Sequence, residues 1–304
     1  MLSRTALRSL QPGQPGRYPL SFLAGHPLTL SLLVDDGGRR LGHEVGIAQF
    51  GGGRSQFLVC GGQILFQAAA FGFDSGSLRV LGGNSGSAWG AGEFVLRVGD
   101  PAVIDAERAA SSAAAEVLPV PAILDRAEVG DLSVVLMETL PGAPMAEVAR
   151  CRPQVARTAG QACGAVHALL AGIPAPAGLR PAPGPPAGPV RVVHLDLHPL
   201  NILGNADGEV TGVLDWANAA AGDPDVDRAR TWAILTLDPA ARARHDEPAW
   251  AALCDGWIES AGLDDLPAAH RAWACTFMLD DLARRYPPDE LKHVAAARDA
   301  MLGA

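Results

Sequence analysis

Histidine and aspartate side chains alternate in HLDLHPLNIL, residues 194–203. Alternate residues of a β-strand share one face, so His194, Asp196 and His198 could converge on a metal ion. The remaining histidines of the chain are isolated from one another, and Pro199 interrupts a regular strand. A metal-dependent hydrolase is therefore the less favoured interpretation of this segment.

A second set of residues, in and after the same segment, fits phosphoryl transfer. Asn201 follows Asp196 in the segment, and Asp215 comes after the run VTGVL. A strand, a turn and a second strand would bring Asn201 and Asp215 together, and both carry the hard oxygen ligands that suit Mg²⁺ held with substrate phosphates. Asp196 is then free to accept the proton of an acceptor hydroxyl. The structural alternative is a polar strand end, which explains one such residue more easily than all three.

Short strands and helices must position these residues. RVVHL and EVTGVLDW predict strands on either side of the motif, and apolar residues at helical spacing predict a helix over residues 152–172. The Pro/Gly/Ala-rich stretch 173–191 predicts a linker or surface loop. Several amphipathic helices are expected from about residue 223 onward.

A small sheet with one helix is expected upstream. Residues 77–100, SLRVLGGNSGSAWGAGEFVLRVGD, predict three strands joined by glycine-containing turns. IDAERAASSAAAEVL (104–118) predicts a helix, and SVVLMETL (133–140) predicts a buried strand. Residues 1–75 show no sustained helical period, although SQFLVCGGQILFQ (55–67) is compatible with a hairpin.

Composition narrows the class of protein. The net charge is −9 and the pI is about 5.3, which makes nucleic-acid binding a poor hypothesis and a cationic small substrate a reasonable one. Lys292 is the only lysine, so a mechanism that needs a lysine near the middle of the chain is excluded. No two cysteines form a C-x-x-C pair, which favours buried thiols in a reduced compartment such as the cytoplasm.

One apolar stretch could mimic a targeting segment. Residues 18–34 are apolar and follow several arginines, but Pro19 and Pro27 interrupt the run, and it is short for a membrane span. We therefore expect no membrane partner. The oligomeric state does not follow from the sequence.

The segment HLDLHPLNIL, followed by GVLDWANAAAGDPDVDRA, resembles the aminoglycoside phosphotransferase family, which has a fold similar to protein kinases. The resemblance covers roughly residues 76–304. It implies an α+β, two-lobed, protein-kinase-like fold with a small antiparallel-sheet N-lobe and a larger, mainly helical C-lobe. The expected domains are an N-terminal extension of uncertain structure (1–75), a nucleotide-binding N-lobe (76–141) and a helical C-lobe with the catalytic loop and acceptor site (142–304).

The resemblance assigns roles to the residues of the second half. Asp196 would be the catalytic base, and Asn201 and Asp215 would hold Mg²⁺. His194 would brace the loop by hydrogen bonds. In the family pattern Asp227 also braces this loop, and the residue at Asp223 opens a helix, which agrees with its ordinary sequence role as an N-cap.

The first-half motifs imply a site for ATP or GTP. LGGNSGSAW would cover the phosphates, with backbone N–H groups of Gly83, Asn84, Ser85 and Gly86 close to them. Arg97 stands where many relatives have lysine, and its guanidinium can bind phosphate with two parallel hydrogen bonds. The remaining candidates are Glu107, which could pair with Arg97, and the hinge residues Glu138 and Leu140, which would meet the nucleobase through backbone groups.

The implied activity is transfer of the γ-phosphate of ATP or GTP to a hydroxyl of a small molecule, either an antibiotic such as an aminoglycoside or macrolide, or a metabolite. Carboxylates of the C-terminal helices could bind amino groups of the acceptor, although a solvated helix face is the commoner reason for such residues. These carboxylates are Asp255, Glu259, Asp264, Asp265, Asp280 and Asp281. Trp250, Trp257 and Trp273 could line an apolar pocket or belong to the core. A non-catalytic nucleotide-binding pseudokinase is the alternative from another class, because Arg97 replaces the usual lysine.

Overall fold

The computed structural model describes strand segments 17–21, 27–31, 46–49 and 56–59, then residues 78–81, 88–91 and 93–303. The chain forms two compact units, Met1–Val98 and Gly99–Ala304. Within the described ranges, no helix is both long and apolar enough to span a bilayer.

The first unit contains two short antiparallel strand pairs in the stretch that the sequence left unassigned. β1 (Arg17–Ser21) pairs with β2 (Pro27–Ser31), and β3 (Gly46–Gln49) pairs with β4 (Gln56–Val59). The apolar stretch 18–34, which has the character of a targeting segment, therefore includes β2 and all but the first residue of β1. A hairpin was predicted within residues 55–67. The first apolar run of that stretch does form a strand, β4, but β4 pairs with the preceding strand β3. The rest of that stretch lies outside the described residues.

Three further antiparallel strands follow, as the sequence predicts. β5 (Leu78–Val80) pairs with β6 (Ala88–Ala91), and β6 pairs with β7 (Phe94–Gly99). Trp89 and Leu96 face each other in this register and are both buried, so they form an apolar cross-strand pair. The predicted phosphate loop, with Gly83, Asn84, Ser85 and Gly86, lies outside the described residues.

The second unit begins with the predicted alanine-rich helix. α1 (Pro101–Ala114) starts earlier than expected because Asp100 is an N-cap, whose side chain accepts the backbone N–H of Ala102 at 2.8 Å, and because proline suits the first helical position. Ile104 and Ala114 are fully buried on its inner face.

A β-hairpin follows α1. β8 (Ile123–Val129) pairs antiparallel with β9 (Leu132–Glu138) across a turn at Gly130, which has a positive φ of 62°. β9 is the predicted buried strand, and Val134 is fully buried within it. β8 was not predicted from the sequence. None of its residues is buried, and its charged residues obscure the apolar pattern of a strand.

The remainder of the second unit is mainly helical. Its helices are α2 (Met145–Cys151), α3 (Ala156–Leu170), α4 (Pro224–Leu237), α5 (Pro239–Arg242), α6 (Pro248–Ala261), α7 (Ala268–Leu282) and α8 (Lys292–Leu302). α3 and α6 approach closely because glycines face the partner backbone: a Cβ on Gly160 would overlap the carbonyl oxygen of Leu253, and one on Gly256 would overlap that of Arg157. Trp257 is completely buried beside this crossing.

A two-stranded and a three-stranded sheet flank the polar motif between α3 and α4. β11 (Arg191–Val193) pairs antiparallel with β14 (Ala220–Gly222). β12 (Ile202–Gly204) pairs antiparallel with β13 (Val210–Val213) and with the two-residue strand β10 (Ala143–Pro144). The Pro/Gly/Ala-rich stretch before β11 has no regular strand or helix, as expected. The α+β class, with antiparallel strands and a larger helical part, is thus confirmed.

Candidate active site

The motif segment forms a loop between β11 and β12. Val192 and Val193 of β11 are buried, and the strand stops there because Leu195 adopts a left-handed conformation with φ of 63°. The alternation of side chains across a strand therefore does not continue through the motif, and His194, Asp196 and His198 do not share one strand face.

His194 is fully buried and engaged at both ring nitrogens. Nε2 lies 2.9 Å from the carbonyl oxygen of Leu214, and Nδ1 accepts the backbone N–H of Asp196 at 3.3 Å. The ring also packs against Trp216, with centroids 4.8 Å apart. His194 is therefore a brace, and both nitrogens that a metal would need are occupied. In the part of the chain that the structure covers, no three His, Cys, Asp or Glu side chains are grouped to hold a metal ion.

Side chains of helix α4 form hydrogen bonds with the backbone of this loop at the residues before and after Asp196. Asp227 Oδ1 accepts the backbone N–H of Leu195 at 2.6 Å, and Thr231 Oγ1 donates to the carbonyl oxygen of Leu197 at 3.0 Å. Asp227 and Thr231 are four residues apart, so they lie on one face of the helix. The helical spacing after the family-like Asp227 is the sequence signal that could have identified Thr231.

Two buried groups support α4 itself. His167 Nδ1 of α3 lies 3.3 Å from Asp227 Oδ2, and both side chains are almost completely buried. Asp223 accepts the backbone N–H of Asp225 at 2.9 Å, so its prediction as an N-cap is confirmed. The other oxygen of Asp223 accepts the backbone N–H of Ala187 at 3.1 Å, which attaches the Pro/Gly/Ala-rich stretch to the start of α4.

Asp196 is accessible, with a side chain that is 24% exposed. Asn201 Nδ2 donates to the backbone carbonyl of Asp196 at 3.0 Å and lies 3.3 Å from its Oδ2. The amide nitrogen of Asn201 therefore faces Asp196, and its amide oxygen accepts no hydrogen bond within the described residues.

The β12–β13 hairpin brings Asp215 close to Asn201 along the backbone. Ile202 pairs with Val213, and beyond this pair the N–H of Leu214 donates to the carbonyl oxygen of Asn201 at 2.8 Å. Asp215 follows directly, in a left-handed conformation (φ 60°, ψ 68°), and is exposed. Non-glycine residues in this conformation concentrate at functional sites.

The donor chemistry of Asn201 and Asp215 fits Mg²⁺. An amide oxygen and a carboxylate are hard oxygen ligands, and Mg²⁺ typically takes one or two such protein ligands together with substrate phosphates and water. The Asp215 carboxylate has no hydrogen bond or ion pair within the described ranges, so it is available to a cation.

His198 is the motif residue to which the sequence assigned no role beyond the disfavoured metal cluster. Its Nδ1 accepts the backbone N–H of Leu200 at 3.2 Å, and its Nε2 lies 3.8 Å from Asp196 Oδ2. Burial lowers the pKa of His198, an effect that the nearby carboxylate of Asp196 opposes. The lowered pKa favours the neutral imidazole, and the proton of the neutral ring is on Nε2 because Nδ1 accepts the N–H of Leu200.

The residues predicted to bind the nucleotide belong to both units of the chain. In the first unit, Arg97 is buried on β7, opposite Ala88 of β6. In the second unit, Glu107 is partly buried on α1. The nucleotide roles of both residues remain predictions.

The hinge stretch ends β9. The N–H of Glu138 donates to the carbonyl oxygen of Ala122 at 2.9 Å, and Glu138 Oε2 accepts the Ala122 N–H at 3.4 Å. This N–H is thus already engaged, and the predicted nucleobase contacts depend on the other backbone groups up to Leu140, which is partly buried.

The carboxylates proposed for the acceptor form two groups. Asp255 and Glu259 of α6 lie 4.0 and 2.7 Å from Arg157, and with Asp264 and Asp265 they line an open pocket of about 470 Å³. Asp280 and Asp281 lie near the end of α7 and are exposed.

Asp281 pairs with the buried Arg230 at 2.9 Å. Trp250 and Trp257 are buried in the main core, and Trp273 packs against it, so the tryptophans are core residues.

Part of the chain matches a protein-family model. Residues 177–273, about a third of the chain, match the model of the phosphotransferase enzyme family, APH. This range includes the motif loop, the β12–β13 hairpin and α4. No curated protein sequence matches the chain significantly.

Solved structures similar to this chain include three phosphotransferases. Aminoglycoside phosphotransferase APH(3'')-Id from Streptomyces rimosus is 17% identical, with a TM-score of 0.46 over 67% of this chain and 96% of that chain. ADP-bound aminoglycoside phosphotransferase APH(2'')-Ib is 9% identical, with a TM-score of 0.46 over 79% and 98%. Macrolide 2'-phosphotransferase type I is 18% identical, with a TM-score of 0.44 over 79% and 95%.

The matched range is shorter than residues 76–304, over which the motifs resemble the family. It contains Asp196, Asn201 and Asp215 and the three residues predicted to support them, which are His194, Asp223 and Asp227. The match of residues 177–273 confirms that this chain resembles the APH phosphotransferase enzyme family.

Proposed function

We propose that this chain transfers the γ-phosphate of ATP or GTP to a hydroxyl group of a small molecule. The observation that carries the proposal is the joint position of Asp196, Asn201 and Asp215. A hydrogen bond from the Asn201 side chain reaches Asp196, and the β12–β13 register brings Asp215 next to Asn201 along the backbone. A base and two cation ligands at adjacent positions are what phosphoryl transfer requires of a protein.

In the proposed reaction, the acceptor oxygen forms a bond to the γ-phosphorus. The bond between that phosphorus and the β–γ bridging oxygen breaks, and its electron pair stays on the nucleoside diphosphate. Asp196 accepts the acceptor's proton, a role that suits its accessible carboxylate. Asn201 and Asp215 hold Mg²⁺, which offsets the negative charge of the phosphate oxygens.

The proposed nucleotide site also includes the residues of the first half that the family resemblance singles out. Arg97 binds phosphate oxygens in place of lysine, since the chain has its only lysine at Lys292. As the family resemblance implies, Gly83 to Gly86 would cover the phosphates, Glu107 would orient Arg97, and the stretch containing Glu138 and Leu140 would meet the nucleobase. The proposed lobes are residues 76–141 and 142–304, preceded by an extension.

The acceptor is proposed only as a class. An alcohol group on an antibiotic or a metabolite satisfies the chemistry, and cysteine usage is consistent with a cytoplasmic enzyme. The open pocket beside Arg157 is lined by four carboxylates and would attract an acceptor with amino groups.

Thermal unfolding with nucleotide tests the donor half of the proposal without knowledge of the acceptor. A ligand that binds only the folded state raises the unfolding midpoint, so ATP or GTP should raise it in the presence of Mg²⁺ and not in its absence. A panel of hydroxyl acceptors then follows, with transfer of labelled γ-phosphate as the readout. Nucleotide binding without transfer or hydrolysis would instead indicate the pseudokinase, and no shift with either nucleotide would contradict the proposal.

A further inference from the structure

His198 has a side-chain donor that no interaction within the described part of the chain uses. Its Nδ1 accepts the N–H of Leu200 at 3.2 Å, so in the neutral ring the proton is on Nε2. Nε2 lies 3.8 Å from Asp196 Oδ2, which is too far for a hydrogen bond. The ring is thus held by its own loop with an N–H beside the proposed base, and its side chain is 21% exposed.

Other side-chain donors around Asp196 are engaged or inaccessible. Both ring nitrogens of His194 contact the backbone, and the amide nitrogen of Asn201 faces Asp196. Arg230 donates to Asp281 through Nη2, and its Nε and Nη1 are buried from solvent. His198 therefore offers a ligand an accessible N–H at this loop.

The chemistry of the proposed reaction selects the group that this N–H meets. A hydrogen bond donated to the attacking hydroxyl would withdraw electron density from the nucleophile and slow the attack. A hydrogen bond donated to a nonbridging oxygen of the phosphoryl group would offset the charge on that group during transfer, which lowers the barrier. A donor fixed beside the base favours the second arrangement.

We propose that His198 is a catalytic residue whose Nε2–H donates a hydrogen bond to a nonbridging oxygen of the phosphoryl group as it passes from the nucleotide to the acceptor. His198 keeps its proton throughout, the acceptor's proton goes to Asp196, and the electron pair of the broken P–O bond stays on the diphosphate. This inference rests on the proposed function and adds a residue to the same site.

Two substitutions separate this role from a purely structural one. A glutamine side chain can place an N–H near the position of Nε2, whereas an asparagine side chain can replace only Nδ1 and its bond to Leu200. If His198 binds the phosphoryl group, His198→Gln retains more activity than His198→Asn. If His198 only shapes the loop through Leu200, His198→Asn is the better replacement.

The first readout is turnover of the Mg²⁺-nucleotide, by hydrolysis or by transfer to an acceptor. Loss of one preorganised donor to a transition-state oxyanion typically lowers kcat by about 10²- to 10³-fold, and we expect a loss of that order in His198→Asn. His198→Gln should recover a large part of it. The control His245→Gln, at a histidine bonded to the carbonyl of Leu235, should leave kcat unchanged.

The second readout is binding and does not depend on turnover. ADP with Mg²⁺ and aluminium fluoride mimics the transferring phosphoryl group, so His198→Asn should weaken this complex while affinity for ADP with Mg²⁺ stays at the wild-type value. Wild-type kcat in His198→Asn, or more activity in it than in His198→Gln, would overturn the inference and leave the proposed function intact. A wild-type protein that neither hydrolyses nor transfers phosphate would overturn both.

Discussion

Asp227 Oδ1 accepts the backbone N–H of Leu195 at 2.6 Å, and Leu195 directly precedes Asp196 in the chain. Leu195 has a φ of 63°, and the left-handed conformation costs an L-residue about 1 to 2 kcal/mol. The carboxylate thus stabilises an unfavourable backbone conformation at the point from which the proposed base extends. The same interaction contributes to the stability of the fold and to the geometry of the site.

Replacement of Asp227 should therefore destabilise the protein strongly. Asp227→Ala removes the acceptor of the buried Leu195 N–H and leaves His167 without its neighbouring carboxylate. Loss of a buried, charged hydrogen-bond partner typically costs about 3 kcal/mol, so we expect a corresponding fall in the free energy of unfolding, measured by urea denaturation.

The control lies on the same helix. Asp225→Ala removes a carboxylate that is 32% exposed and pairs with Arg228, so its effect should be below about 1 kcal/mol. If Asp227→Ala does not fold, Asp227→Asn can be measured in its place, because asparagine keeps an acceptor oxygen. Equal decreases in the free energy of unfolding for Asp225→Ala and Asp227→Ala would show that the hydrogen bond to Leu195 contributes no more than an exposed ion pair.

The sequence predicted those strands and helices whose apolar residues or capping residues lie together in one short stretch of the chain. β6, β7 and β9 have apolar residues that are buried in the structure, and α1 has an alanine-rich sequence behind an Asp-Pro start. β8 was missed because none of its seven residues is buried and three of them are charged, so its sequence lacks the apolar pattern of a strand. The pairing of β11 with β14 joins residues that are far apart in the chain, which a local pattern does not encode.

The candidate site was predictable to a similar extent. The order of Asp196, Asn201 and Asp215 in the sequence indicated the chemistry, and the hairpin between the last two was expected from the alternation of strand and turn residues. The orientation of His198 was not predictable, because it depends on one hydrogen bond to Leu200 and on the end of β11 at Val193.

Asp196→Asn should remove most turnover and leave nucleotide binding intact. The substitution preserves the shape of the side chain but removes the base, and general-base assistance typically contributes about 10² to 10⁴ in rate. The side chain is partly exposed and its closest polar contact is Asn201, so the unfolding midpoint should stay near the wild-type value. Labelled γ-phosphate transfer and nucleotide titration measure the two effects, and a normal transfer rate would exclude Asp196 as the base.

Asp215→Asn should abolish the Mg²⁺-dependent part of nucleotide binding. The carboxylate is exposed and has no ion pair in the described ranges, so its loss should weaken a metal site without weakening the fold. The measurement is the unfolding midpoint with nucleotide, with and without Mg²⁺. Asp207→Asn is the matched control, since it removes an equal charge from the exposed turn of the same hairpin. The same loss of Mg²⁺ dependence in both variants would point to net charge instead of a ligand role.

Gly256→Ala should destabilise the protein although alanine is the better helix former. A Cβ at Gly256 would overlap the carbonyl oxygen of Arg157 and lie 3.0 Å from its carbonyl carbon, so α3 and α6 would have to move apart. Overpacking of this kind typically costs about 1 to 3 kcal/mol, and a backbone atom yields less readily than a flexible side chain.

Gly303→Ala is the control, because a Cβ there would lie 3.4 Å from the nearest atom, the carbonyl oxygen of Asp299. Urea denaturation should give a lower free energy of unfolding for Gly256→Ala and an unchanged or slightly higher one for Gly303→Ala. Effects of the same sign and size would mean that glycine at this crossing is not required by the approach of the two helices.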